Sequence, residues 1–197
     1  MNDQAQEGNP LFPIFLKLDQ IQTLIVGGGN VGLEKLEAVL KNDRNARVVI
    51  VAPEIRLEIK TLANGHLNLE LVERAFKKKD LKQADLVILA TDQPALHKKI
   101  KKQAEKRHLL VNVADTPDLC DFYLGSTVKK GDLKIGISTN GKSPTFAKRF
   151  REILEEILPD ETDELLSNLK SIRDQLKGDF QEKVKELNKI TSVLKNK

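Results

Sequence analysis

The chain has 197 residues, 40% of them hydrophobic and 31% charged, with a formal net charge of +4, the make-up of a globular protein of one or two domains. No apolar run approaches the ~20 residues of a membrane helix, and the polar opening from Met1 to Pro10 lacks the basic start and apolar middle of a signal peptide, so a cytoplasmic location is expected. A single cysteine, Cys120, rules out an internal disulfide and paired-cysteine metal sites, and His66, His97 and His108 lie too far apart to form a ligand motif, so no metal site is expected.

In chain order, the pattern predicts a short strand at Pro13 to Leu16, then a strand at Ile21 to Val26 that runs straight into glycines. A continuous apolar run of this kind suits a strand buried on both faces of a parallel sheet. Val31 to Leu40 has helical spacing in Leu33, Leu36, Val39 and Leu40. Arg47 to Val51 is a second strand, stopped by Pro53, which cannot donate to a ladder. Ile55 to Ala63 reads as a helix ended by Asn64-Gly65. Leu67 to Val72 and Leu86 to Ala90 read as the third and fourth strands, Pro94 to Lys106 as a helix and Leu109 to Val113 as the fifth strand. Strands alternating with helices argue for βαβ units. Beyond them, Phe122 to Val128 and Leu133 to Ser138 flank Lys130-Gly131-Asp132 with no crossover helix between them, so they are expected to pair antiparallel. The rest is helical: Phe146 to Leu158, Asp160 to Leu176 and Asp179 to Leu194, with Asp160 and Asp179 as N-caps.

Gly27-Gly28-Gly29-Asn30-Val31-Gly32 fits G-x-G-x-x-G between a buried strand and an amphipathic helix, as a dinucleotide fingerprint requires. Gly27 permits the tight turn, Gly29 lets a pyrophosphate approach the backbone, and Gly32 lets the helix lie close to the strand. The bland alternative is a tight strand-to-helix turn with no ligand. The acidic residue usual at the tip of the second strand is displaced in Ala52-Pro53-Glu54. Glu54 is left either to hold a ribose hydroxyl or to cap the next helix, while Arg56 would suit a 2′-phosphate. With no basic cluster directly after the strand, the reading is NAD. Thr91 and Asp92 end the fourth strand, where ligands of open α/β sheets bind; Asp92 is equally placed to cap the helix at Pro94.

Asn112-Val113-Ala114-Asp115-Thr116-Pro117 follows the fifth strand. Asp115 is a carboxylate at a strand end, able to accept the proton released when NAD⁺ takes a hydride; an Asx-turn into Thr116-Pro117 explains it equally well. Ser138-Thr139-Asn140-Gly141-Lys142-Ser143-Pro144 is a polar loop before a helix, with Ser143 as N-cap and Pro144 at the first helical position. Its hydroxyls, amide and Lys142 suit carboxylates. Cys120, with no histidine paired to it, reads as packing. Lys77-Lys78-Lys79 and the group Lys98, Lys99, Lys101 and Lys102 read as solvated faces. The mild charge and 4% aromatic content give no dense basic patch with stacking rings, so neither nucleic acid nor membrane is an expected partner.

Taken together, Phe12-Pro13-Ile14-Phe15-Leu16, Val26 to Gly32 with Lys35, Val51-Ala52-Pro53, Ala90-Thr91-Asp92, Val111 to Asp115, Leu119-Cys120-Asp121-Phe122 and Ile137 to Pro144 resemble the precorrin-2 dehydrogenase family, which includes the dehydrogenase module of siroheme synthases. The resemblance runs from about Pro13 to Leu158. Gly32 stands where alanine is common, Gly125 where proline is frequent and Asn140 where glycine is common. The resemblance implies an α/β fold: a Rossmann-like NAD-binding domain (1–116), a small strand-rich dimerisation and substrate region (117–145) and a helical C-terminal region (146–197).

The implied activity is NAD-dependent oxidation of precorrin-2 to sirohydrochlorin in siroheme biosynthesis, by a homodimer. Asp115 is the implied catalytic residue. Gly27, Gly28, Gly29, Asn30, Val31, Pro53, Glu54, Thr91 and Asp92 are the candidate cofactor contacts. Asn112, Ser138, Thr139, Asn140 and Lys142 are the candidate substrate contacts. Some members of the family also insert Fe²⁺ as ferrochelatases, which stands as one alternative; a dinucleotide-sensing domain without catalysis is the other. The tetrapyrrole carries eight carboxylates, so Lys129, Lys130, Lys142, Lys148 and Arg149 are expected to steer it.

Overall fold

The computed structural model describes residues 8–192. The polar opening read in residues 1–7 and the predicted helix end beyond 192 lie outside the described residues. The described chain divides into two compact units, one of residues 12–124 and one of residues 8–11 with 125–192.

The first unit is built on five parallel strands: β1 (Gln22–Val26), β2 (Arg47–Ala52), β3 (Leu69–Glu73), β4 (Leu86–Leu89) and β5 (Leu110–Val113), in the order β3-β2-β1-β4-β5. Helices α1 (Asn30–Asn42), α2 (Leu57–Ala63) and α3 (Pro94–Glu105) make the crossovers, with a short 3-10 turn at Lys78–Lys82 between β3 and β4. The central strands read as apolar runs because both of their faces are covered. Ile25, Val48, Ile50 and Ile88 pack with Leu36, Val39 and Ile59 on one face, while Leu24, Val26, Val87, Leu89 and Val111 pack with Leu81, Ile100 and Ala104 on the other. The strand order reverses between β1 and β4, and such a switch point is where open α/β sheets form a ligand crevice beyond the carboxyl ends of their strands.

The second unit holds an antiparallel hairpin, β6 (Ser126–Lys130) and β7 (Leu133–Ile137), as predicted. Helices α4 (Pro144–Ile157), α5 (Thr162–Gln175) and α6 (Phe180–Thr191) follow. Val128, Ile135 and Ile137 of the hairpin pack with Ala147, Leu154 and Leu158 at α4. Asp179 caps α6 as predicted, in a reciprocal box with Glu182.

Three local expectations are corrected. Pro13 to Leu16 is not a strand: β1 is flanked by β2 and β4, and neither sheet edge recruits the segment, whose Phe12, Ile14, Phe15 and Leu16 are exposed. The sixth strand starts at Ser126 rather than Phe122, because residues 120–122 are tied back to β5 by side-chain hydrogen bonds. Asp160 does not cap α5; the N-cap is Glu161, and Asp160 instead pairs with Lys130.

Candidate functional site

The glycine turn sits at the crevice. Gly27 adopts φ +126°, and a Cβ there would lie 2.2 Å from the Ala90 carbonyl oxygen, so the turn after β1 presses directly on the end of β4. A Cβ on Gly32 would lie 2.2 Å from the Gly27 oxygen, which is the close helix–strand approach expected of that position. Gly29 differs from both: it is exposed, and nothing lies within 4 Å of where its Cβ would be. It is the N-cap of α1, makes no side-chain cap bond, and the first turn carries no acidic residue. The positive end of α1 therefore faces a cradle left open at Gly29, which fits a dinucleotide's diphosphate.

Beside this turn, the tip of β2 is packed rather than loose. The Arg56 N–H donates to the Gly28 oxygen at 3.0 Å, and a Cβ on Gly28 would meet the Glu54 oxygen at 2.3 Å. Pro53 and Glu54 are exposed, and the Glu54 carboxylate has no partner among the described residues. Glu54 does not cap α2, whose N-cap is Arg56. The Arg56 guanidinium is held by Asn30 Oδ1 and by both carboxylate oxygens of Glu58.

At the end of β4, the Thr91 hydroxyl accepts the Gln93 N–H at 3.2 Å and meets His97 Nε2 at 2.8 Å. The capping role expected of Asp92 is not filled by it or by the N-cap residue, which makes no side-chain cap bond. Asp92 is exposed and makes no cap bond, because Gln93 is the N-cap of α3. His97 is only 3% exposed. Burial holds its imidazole below the usual range, with Asp92 pulling the other way. A group whose folded pKa is depressed contributes stability that is full above its unfolded pKa, about 6.5 here, and lost as the pH falls through the folded value. Denaturant midpoints between about pH 5 and 7.5 should therefore fall with acidification, and His97→Gln should flatten that slope. Parallel slopes in the two proteins would refute the account.

The third loop follows β5. Asp115 adopts φ +56°, is exposed, and its carboxylate has no partner among the described residues. The Asx-turn reading therefore finds no hydrogen bond, and the carboxylate points at no structural task. What holds the loop is its stem. Cys120 Sγ accepts the Val113 N–H at 3.2 Å and donates to the Val113 or Thr116 carbonyl. Asn112 is buried and its Nδ2 donates to the Phe122 oxygen at 2.9 Å. Asp121 accepts the Val111 N–H at 2.9 Å and the Lys101 ammonium at 2.5 Å. Residues 120–122 thus run back along β5 and leave Asp115 at the apex. Cys120 does pack against the core, as read from sequence, but it also fastens this loop.

The Ser138–Pro144 loop belongs to the second unit and is described by itself. Ser143 caps α4, accepting the Phe146 N–H at 3.1 Å. Thr139 Oγ1 accepts the Ser143 N–H and donates to the Ser143 oxygen, closing the loop on itself. Ser138 Oγ accepts from Asn140 N–H and from Asn9 Nδ2. The Asn140 and Lys142 side chains have no partner among the described residues. Lys130 pairs with Asp160 and Arg149 with Glu152, which narrows the expected basic steering group to Lys129, Lys142 and Lys148.

The structure therefore brings Gly27 to Val31, Pro53, Glu54, Thr91, Asp92 and Asp115 to the carboxyl side of one sheet, with Asn112 buried behind them. Sequence reasoning missed two supporting side chains, His97 and Lys101. Lys101 reads from sequence as one of a group of solvated lysines, yet it is 9% exposed and pairs with Asp121. The available signal was helical spacing: His97, Ile100, Lys101 and Ala104 form the buried face of α3.

Comparison with known proteins agrees with this geometry. The family described as Putative NAD(P)-binding matches residues 14–126, and the family described as Sirohaem biosynthesis protein central matches residues 130–157. A siroheme synthase of Psychrobacter arcticus is 35% identical over 176 residues, 89% of this chain and 31% of its own length. One of Pseudoalteromonas translucida is 35% identical over 168 residues, 85% of this chain and 35% of its own. The chain thus spans about a third of the curated relatives it matches. A solved structure of SirC, precorrin-2 dehydrogenase, shares the fold with a TM-score of 0.70 at 24% identity, covering 91% of this chain and 89% of that one. Because the first of these matches takes in more than half of the sequence and all five parallel strands, the chain belongs to the putative NAD(P)-binding family.

Proposed function

We propose that this chain is an NAD-dependent precorrin-2 dehydrogenase, producing sirohydrochlorin for siroheme biosynthesis. The observation that carries the reading is that the carboxyl side of one sheet presents both an open glycine cradle and, two strands away, a carboxylate at Asp115 with no partner among the described residues. The likeness to siroheme synthases and to the SirC fold supports the choice of substrate.

In this reading Gly27, Gly28, Gly29, Asn30 and Val31 hold the diphosphate, Pro53 and Glu54 flank the ribose, and Thr91 and Asp92 line the cleft. Bound there, NAD⁺ supplies a hydride acceptor. Removing a hydride from a ring carbon and a proton from its neighbour leaves a new carbon–carbon double bond, and the Asp115 carboxylate takes the proton before passing it to water. Asp115 is free to do so because, among the described residues, no side chain competes for its oxygens. Asn140, Lys142 and Ser138 offer donors to the substrate's carboxylates, with Thr139 shaping their loop and Asn112 holding the Asp115 stem in place.

The enzyme works in the cytoplasm, as the lone cysteine suggests, and among the described residues no helix is long and apolar enough to cross a membrane. It is a homodimer in this reading, supported by an apolar ridge on α4, where Phe146, Phe150, Ile153 and Ile157 are exposed.

Anaerobic incubation with precorrin-2 and NAD⁺ should yield NADH and the sirohydrochlorin spectrum in equal amounts. NADH binding without turnover would instead identify a dinucleotide sensor. A second arm with Fe²⁺ and sirohydrochlorin reads out any metal insertion.

A further inference from the structure

Resting on the dinucleotide reading of the glycine turn, we propose that Glu58 sets the cofactor preference of this chain: it occupies the Arg56 guanidinium, so the ribose end of the site accepts NAD and rejects its 2′-phosphorylated form. Near the tip of the second strand in such folds, a carboxylate holds the ribose 2′-hydroxyl of NAD, whereas an arginine accommodates the 2′-phosphate of NADP. This chain carries both groups there, and they are in different states.

The Glu54 carboxylate is exposed and unpartnered among the described residues. Arg56 is anchored, and each of its three guanidinium nitrogens already donates a hydrogen bond. Its backbone N–H is fixed on the Gly28 oxygen at 3.0 Å. Its Nη1 donates to Oδ1 of Asn30, the first residue of α1. Its Nε donates to Glu58 Oε2 at 3.1 Å and its Nη2 to Glu58 Oε1, a two-point carboxylate–guanidinium fork.

An arriving 2′-phosphate would meet the Glu54 charge with the Arg56 charge already neutralised by Glu58. Glu54, Arg56 and Glu58 together sum to a single negative charge. The pair stays ionised across the neutral range: Glu58 holds Arg56 above the usual guanidinium value, and Arg56 holds Glu58 below the usual carboxylate range. The two side chains are 40% and 51% exposed. An exposed pair of this kind contributes little to stability, so Glu58 can be replaced without unfolding the chain, and its effect lies in what it denies to a ligand.

The test uses the full chain and measures dissociation constants for NADH and NADPH by calorimetry or nicotinamide fluorescence, with no turnover required. Wild-type protein should favour NADH by about tenfold or more. Glu58→Gln should tighten NADPH by about tenfold while moving NADH less than about threefold, and added salt should erode that gain. Adding Arg56→Gln to Glu58→Gln should abolish the gain, since Arg56 is the group released. An unchanged NADH-to-NADPH ratio in Glu58→Gln, or a gain that survives the loss of Arg56, overturns the proposal while leaving dinucleotide binding intact. Binding of neither nucleotide by wild-type protein overturns the functional reading itself, and this proposal with it.

Discussion

Replacing Asp115 by asparagine should lower NAD⁺-dependent turnover of precorrin-2 by about 10²- to 10⁴-fold, the usual contribution of a positioned general base, while leaving the affinity for NADH unchanged. Two features make the substitution clean. Asp115 sits at φ +56°, a conformation asparagine tolerates about as well as aspartate. Its carboxylate is exposed and bonded to nothing among the described residues, so no fold contact is lost and stability should move by less than about 0.5 kcal/mol. Asp115→Gly sharpens the result. Glycine relaxes the backbone at that φ but removes the carboxylate, so a merely turn-forming Asp115 predicts a stable, active variant, whereas the proton-accepting role predicts a stable, inactive one. The loop's own scaffold provides the contrasting case. Asp121→Ala removes the nearer of two carboxylates from Lys101, leaving Glu105 at 3.7 Å, and also the acceptor of the Val111 N–H, so it should act through folding, with a loss of thermal stability that Asp115→Asn does not show. Full activity in Asp115→Asn removes the residue from the mechanism.

These roles differ in how far the sequence reveals them. The five sheet strands were readable because burial on both faces leaves nearly unbroken apolar runs, as in Leu24, Ile25 and Val26 or Leu86 to Leu89, and because glycine or proline stops several of them. The glycine turn was readable because its spacing is local, Gly27, Gly29 and Gly32 falling between one strand and the next helix, although the neighbour that requires Gly27 to be glycine, Ala90, lies far away in sequence at the end of β4. Asp115 was visible only as a carboxylate at a strand end, since sequence does not show whether a side chain is already engaged. Side-chain stitches between distant residues leave no periodic trace. Lys130 and Asp160 are thirty positions apart, and their pairing removed an N-cap that local rules had assigned. Lys101 and Asp121 are twenty apart, and the tie turned an apparently solvated lysine into a buried one. Pro13 to Leu16 is a short apolar run like those of the strands, but such a run does not specify a partner, and neither edge of the sheet takes it up.

The second large effect concerns Gly27 and is best measured against Gly29. Gly27→Ala places a methyl group 2.2 Å from the Ala90 oxygen, 2.6 Å from its carbonyl carbon and 3.2 Å from the Thr91 nitrogen, all backbone atoms that no rotamer change can clear. The φ of +126° adds strain of about 1–3 kcal/mol for any residue with a Cβ, and the overpacking costs about another 1–3 kcal/mol. The clash also falls where three strands meet: the Gly27 N–H donates to the Val51 oxygen and the Ala90 N–H to the Val26 oxygen, so relief requires prising β1 from β4 at their carboxyl ends. At about 2–4 °C per kcal/mol for a chain of this size, the melting temperature should fall by roughly 10 °C. Gly29→Ala meets none of this, because its φ is −87° and its Cβ would find open space; its melting temperature should stay within about 2 °C of wild type. That open space is where the diphosphate is proposed to lie against the α1 N-terminus, so the same methyl should weaken NADH binding by at least about tenfold. One alanine thus strikes the fold and the other only the ligand, and calorimetry alongside thermal melts separates them. A Gly29→Ala protein that binds NADH as tightly as wild type would mean that the cradle is empty in the working enzyme and that the dinucleotide is held elsewhere.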